Sequence, residues 1–247
     1  MTSIAGYNIA AAPCCRKIYR TLRYRSINFS AREYWTDGHA EGRLMPGGFG
    51  LRKCVCGAFY LGSELIDLGE ADDSDLDFPS NVQPEDLPNA IAQARNAEVE
   101  LAARLEYWQD LNHAYRQSYR AHRDAEEAAN KAAWDLANPD PRSLWQKLRK
   151  VPAPAYARSK DSPFTYPPFE PSPVQQDNMR ALLRLLEILD KRRHYLEEIT
   201  ELHRELGEFD EAAQALTEGE EIGQTITRKL LSDLVQEKRT APVRYRL

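Results

Sequence analysis

The chain has no apolar run approaching the roughly 20 residues that a bilayer-spanning helix needs. Its start, MTSIAGYNIAAAP, lacks the basic residues and long apolar core of a signal peptide. Pro13 also stands where a lipoprotein would carry a small residue before its modified cysteine. A cytoplasmic location and no membrane partner are therefore expected. Lys and Arg are missing from residues 61–94, which hold nine Asp or Glu, whereas residues 1–60 hold nine Lys or Arg against three acids. The formal net charge of −5 argues against a general nucleic-acid binder, because phosphate affinity comes mostly from clustered cations. There is no phosphate loop, dinucleotide fingerprint, Gly-x-Ser-x-Gly elbow or kinase signature, and no residue stands out as a nucleophile, so no enzyme is expected. Cysteine is scarce too. All four lie in two pairs within 43 residues, and the 191 residues after Cys56 have none. In a reducing compartment such cysteines are ligands or buried hydrophobes rather than disulfides.

The chain reads as three parts. Residues 1–68 have strand and turn chemistry: YRTLRYRSINF is rich in Tyr, Arg and β-branched residues, and Asp37-Gly38 and Gly47-Gly48 are turn signals. So short a segment would struggle to bury a core alone. Residues 69–89, GEADDSDLDFPSNVQPEDLPN, read as an acidic linker. Asp73, Asp75 and Asp77 have a calcium-loop spacing, but Phe78 and Pro84 stand where such a loop needs Gly and Glu.

From residue 90 to 247 the pattern is helical. Residues 96–137 run without Gly or Pro, as one long helix or two with a break near Asn112, and Ser143 can cap a short helix beyond. Residues 151–173 hold seven prolines; Tyr156, Phe164, Tyr166 and Phe169 suggest that this extended segment packs along the helices. Met179, Leu182, Leu183, Leu186 and Leu189 line one later helix, and Tyr195, Leu196, Ile199, Leu202 and Leu206 a second, closed by Gly207.

The cysteine pairs carry the clearest chemistry. Cys15 is followed four residues on by Tyr19, and Cys56 four residues on by Tyr60, so CCRKIYR and CVCGAFYL look like two versions of one thiol-bearing turn followed by a strand. Two such turns present the four soft donors that zinc binds tetrahedrally, and Gly57 suits a knuckle that needs positive φ. Cys14, Cys15, Cys54 and Cys56 are the expected ligands. Adjacent ligands are geometrically awkward, so His39 or Asp37 stands as a substitute for Cys14. Iron is a second possibility for the metal. A four-thiolate site has no vacancy for water, which makes the metal structural; Glu33 and Glu41 read as solvated carboxylates. In YWTDGH, Tyr34 and Trp35 are expected to cover a small core while Asp37-Gly38 turns the chain.

These turns resemble zinc-ribbon and rubredoxin-like knuckles, which typically read Cys-Pro-x-Cys-Gly. The resemblance covers about 60 residues and departs from the pattern at Ala12-Pro13-Cys14-Cys15 and at the single residue between Cys54 and Cys56. Residues 199–216, ITELHRELGEFDEAAQAL, resemble half of a tetratricopeptide repeat through Leu206-Gly207, Phe209, Ala212 and Leu216; no second copy follows at a 34-residue period. As a whole the chain resembles bacterial proteins with a zinc-ribbon-like start and a tetratricopeptide-like end. The expectation is an α+β protein, a small zinc-stapled β module followed by a larger helical domain. It would serve as an adaptor or scaffold that binds another protein through its helices. The alternative is a nucleic-acid-associated protein using the basic face of RKIYRTLRYRSINF, with Arg20 and Arg25 beside stacking tyrosines.

Overall fold

The computed structural model describes residues 3–27, 31, 33–42, 50–140, 142–150, 152, 154–157, 166–219 and 225–245. The Gly47-Gly48 turn and Phe164 lie outside the described residues. The chain forms two compact units, residues 1–112 with 170–247, and residues 113–169. This division differs from the expected boundaries at 68 and 89.

In the first unit, β1 (Ser3–Ala11) and β2 (Ile18–Ser26) form an antiparallel pair, and β7 (Ile66–Ala71) adds on the other edge of β1. A second sheet has β3 (Glu33–Trp35) between β4 (Ala40–Glu41) and the C-terminal β9 (Arg244–Tyr245). A third has β5 (Leu51–Lys53) between β6 (Phe59–Leu61) and β8 (Ser80–Asn81). Helices complete the core of this third sheet. Leu51 and Phe59 pack with Leu87 and Ala90 of α1 (Leu87–Ala92) and with Val99, Ala102 and Ala103 of α2 (Ala97–Leu111). Asn96 caps α2 by accepting from the Val99 N–H at 2.8 Å.

The residues expected as a linker thus contribute to packed structure. β7 and β8 pair with other strands, Leu87 is buried, and Asp86 meets Lys53 at 2.7 Å. The acidic run also lies along the basic strand: Asp77 pairs with Lys17 at 3.4 Å and Glu70 with Arg23 at 2.7 Å. The strand pairing of β7 and β8 and the burial of Leu87 hold this stretch in place, and these exposed ion pairs add little to it.

The other face of α2 meets α5 (Pro173–Ile188) and α6 (Leu196–Glu205). Leu101, Leu105 and Trp108 pack with Met179, Leu182, Leu186, Ile199 and Leu202, and with Ala215 of α7 (Phe209–Glu218). α6 and α7 are joined by a turn in which Gly207 has φ +79°. The Gly207 N–H donates to Arg204 O and the Glu208 N–H to His203 O, a Schellman closure. α8 (Ile226–Gln236) follows, capped by Thr225, and the chain then returns to pair with β3.

In the second unit α3 (His113–Ala137) buries Tyr115, Arg116 and Tyr119. The break between α2 and α3 falls at Asn112, which caps α2 and whose side chain is drawn into a buried network of the first unit. The proline-rich segment packs along α3: Phe169 lies edge-on to Tyr115 at 5.0 Å, Tyr166 meets Tyr119 at 6.0 Å and Tyr156 meets Trp134 at 6.2 Å. A short α4 (Leu144–Leu148) lies between.

Candidate metal centre

Two turns carry the thiols, and they are built alike. In the first, which follows β1, the Ala12 N–H donates to Lys17 O at 2.8 Å and the Arg16 N–H donates back to Ala12 O at 3.0 Å. In the second, after β5, the Cys54 N–H donates to Ala58 O at 2.8 Å and the Gly57 N–H to Cys54 O at 2.9 Å. Each turn needs one residue in the left-handed region. Gly57, with φ +88°, is free to adopt it, whereas Arg16 does so at φ +62° against its own Cβ.

The turns bring all four cysteines together. Their sulfur atoms lie within 4.8 Å of one another; no other group among the described residues assembles three or more such donors. Cys15 Sγ stands 3.4 Å from Cys54 Sγ, and Cys56 Sγ 3.5 Å from Cys14 Sγ. Metal–sulfur distances near 2.3 Å imply sulfur–sulfur edges of about 3.8 Å in a tetrahedron, so small adjustments of these side chains suffice to ligate an ion. The cluster can hold a metal ion. Neither Asp37 nor His39 belongs to it: Asp37 is fully buried elsewhere, and its Oδ1 accepts the His39 N–H at 3.0 Å.

Cys54 is buried while the other three thiols are exposed. The repeated tyrosines are buried beside the site. The Tyr19 hydroxyl lies 3.7 Å from Cys54 Sγ, and the Tyr60 hydroxyl is buried without a hydrogen-bond partner among the described residues. Burial raises the Cys54 pKa, but the Cys56 N–H, the Cys15 and Cys14 thiols and the Tyr19 hydroxyl outweigh it and bring Cys54 down to about 6. Burial and the same crowding push Cys14 up to about 12. Cys54 is thus drawn toward the thiolate beside Cys14 and Cys15, whose pKa values are raised, an arrangement that a cation replacing their protons would relieve.

A second polar cluster escaped the sequence. Thr36, Asp37, Asn112, Glu201, Arg204 and Glu205 are all buried in the first unit. Arg204 forks onto Glu201 at 2.7 and 2.5 Å and also donates to Arg239 O. The Thr36 hydroxyl donates to Glu201 at 2.5 Å and accepts the Val243 N–H at 2.9 Å. Glu205 accepts from Trp108 Nε1 at 2.9 Å and from Asn112 Nδ2 at 3.0 Å, and Asn112 Nδ2 also reaches Asp37 at 3.2 Å. Burial, then the neighbouring Glu201 and Asp37 charges, hold the Glu205 pKa well above the usual carboxylate range. This network fastens the TDGH turn to α2, α6 and the C-terminal strand. The expected Asp37-Gly38 turn is present, with the Gly38 N–H donating to Trp35 O at 3.0 Å, and Trp35 is fully buried. The signal available in the sequence was Glu201, Arg204 and Glu205 spaced i, i+3 and i+4 beside the apolar stripe of α6.

No helix among the described residues is long and apolar enough to cross a membrane. No protein-family model, curated protein or solved structure matches this chain.

Proposed function

We propose that the chain is a structural-zinc protein that acts as an adaptor or scaffold, with its helical surface binding another protein. The observation that carries the zinc half is the gathering of Cys14, Cys15, Cys54 and Cys56 within 4.8 Å by two turns of matched construction. Four thiolates favour zinc over harder cations and leave no vacancy for water or substrate, so the ion would staple the fold rather than catalyse. Zinc bound here would tie the β1–β2 turn to the β5–β6 turn.

The adaptor half draws on the α6–α7 hairpin, where Gly207 closes the first helix and Ala212, fully buried, lets the second approach closely, as in a tetratricopeptide-like hairpin. Alanine-rich α3 adds a long, largely exposed helix surface in the second unit. Metal content of the untagged protein tests the first half. Affinity capture in cells, compared between the wild type and variants reversing exposed charges on α6 and α7, tests the second. A partner lost only on such reversal supports the adaptor, and no reproducible partner removes it.

The nucleic-acid reading keeps Tyr24 and Arg25, which are exposed on β2. Its other pair is engaged. Tyr19 is buried, and the Arg20 guanidinium sits 4.9 Å from the Tyr7 ring and 4.6 Å from the Phe78 ring while donating to Ser74 O. Protein binding is therefore the reading adopted.

A further inference from the structure

The unit formed by residues 113–169 holds ten Lys or Arg and six Asp or Glu, so it is basic within a chain of net charge −5. Inside it α4 turns three large apolar side chains to solvent: Leu144 is 79%, Trp145 74% and Leu148 75% exposed. At about 100° per residue these three fall within one arc of about 100°, a single face of the helix. Exposed hydrophobic residues scattered singly need no explanation, but three on one turn form a patch.

The turn is set before any ligand arrives. The Ser143 N–H donates to Gln146 Oε1 at 2.8 Å, and the Gln146 N–H donates to Ser143 Oγ at 3.3 Å, a reciprocal capping box. Such preorganisation lowers the ordering cost of binding. Arg149 and Lys150, both exposed, follow directly, and no acid occurs between Asp140 and Asp161.

We propose that α4 is a peripheral docking element for an anionic lipid surface, with Leu144, Trp145 and Leu148 entering the headgroup boundary and Arg149 and Lys150 facing the lipid charges. A protein groove that receives a helix reads anchors over two turns or more, at i, i+3 or i+4, and i+7. α4 ends at Leu148 and supplies one turn only. A lipid interface asks for a shallow apolar face with cations at its margin, and it favours tryptophan at that depth. The acidity of the rest of the chain confines the attraction to this unit. Such a contact needs no spanning helix. It departs from the expectation that membranes are not a partner, which rested on the lack of a spanning run.

Flotation of the full chain tests this, using vesicles of phosphatidylcholine alone and of phosphatidylcholine mixed with phosphatidylserine, at low and high salt. Binding should require phosphatidylserine, weaken with salt and shift tryptophan emission to the blue. The triple variant Leu144→Ser, Trp145→Ser, Leu148→Ser should lose about tenfold or more in bound fraction. Its circular dichroism and melting should match the wild type, and Arg149→Glu with Lys150→Glu provides a second loss that leaves the apolar face intact. Absence of wild-type binding to phosphatidylserine vesicles at low salt overturns the proposal. So does equal binding by both variants. Wild-type self-association that the triple variant abolishes, without lipid binding, would assign the face to a second copy of the chain.

Discussion

Cys15 Sγ and Cys54 Sγ stand 3.4 Å apart although 39 residues separate them in the chain. Nothing covalent holds them, and the turns that carry them are positioned by separate sheets. Metal loading therefore has protonation consequences. Cys14 and Cys15 are both held above the ordinary thiol pKa, Cys14 by burial and by its Cys54 and Cys56 neighbours, Cys15 by Cys54 against the opposing effect of the Lys17 amide. At neutral pH both must lose their protons to become ligands. Zinc titration by calorimetry in buffers of differing ionisation enthalpy should show release of no fewer than these two protons, and apparent affinity should rise with pH. Release of none would mean that these two sulfurs do not ligate.

The matched turns make opposite predictions at equivalent positions. Beyond its chain neighbours, no atom of the described residues lies within 4 Å of where a Gly57 Cβ would stand, so Gly57→Ala meets backbone strain alone and should cost about 1–2 kcal/mol. Arg16 already bears that strain, and Arg16→Gly should be neutral or stabilising by up to about 1 kcal/mol. Urea denaturation of the two variants measures both. A stabilising Gly57→Ala would show that the second turn does not hold its positive φ in solution.

The two tyrosines should also separate. Tyr19→Phe removes a hydroxyl beside Cys54 Sγ and should cost about 0.5–1.5 kcal/mol, whereas Tyr60→Phe removes a buried hydroxyl with no partner among the described residues and should be neutral or stabilising. Thermal melts of the metal-free protein compare them. Equal destabilisation by both would mean that the Tyr60 hydroxyl has a partner, such as a bound water.

How much of this was legible depends on the range over which a signal acts. The thiol turns are local: paired cysteines, a tyrosine four residues on and Gly57 lie within a few residues of one another, and they were readable. So were the apolar stripes of α5 and α6 and the Gly207 closure, which follow from helical spacing and a single φ. The Thr36–Val243 contact was not, because its partners lie 207 residues apart and β9 is two residues long. Nor was the burial of Glu201, Arg204 and Glu205, since charged residues in a helix ordinarily mark its solvated face. The acidic run at 69–89 read as linker because the strands that β7 and β8 pair with, β1 and β5, lie in another segment.

The buried network gives stability a pH dependence of known sign. Glu205 has a raised pKa in the folded state, first through burial and then through Glu201 and Asp37, so its contribution is fully present below the unfolded carboxylate pKa and is lost as pH rises toward the folded value. Glu201 is raised as well, chiefly by burial, with Arg204 opposing the shift. Glu205→Gln keeps an oxygen for Trp108 Nε1 and Asn112 Nδ2 and cannot ionise. It should flatten the decline in stability above pH about 4.5 and should be more stable than the wild type at neutral pH. Chemical denaturation from acid to neutral pH measures this, and an unchanged profile would show that Glu205 ionises freely in the fold.

The most direct measurement is metal content by mass spectrometry on untagged protein, beside the Cys54→Ser variant. One zinc per chain is expected, lost in Cys54→Ser together with a fall of about 2 kcal/mol or more in stability, and the same fall when a chelator strips the wild type. Metal-free wild-type protein with four titratable thiols, and stability indifferent to both zinc and the substitution, would contradict that expectation.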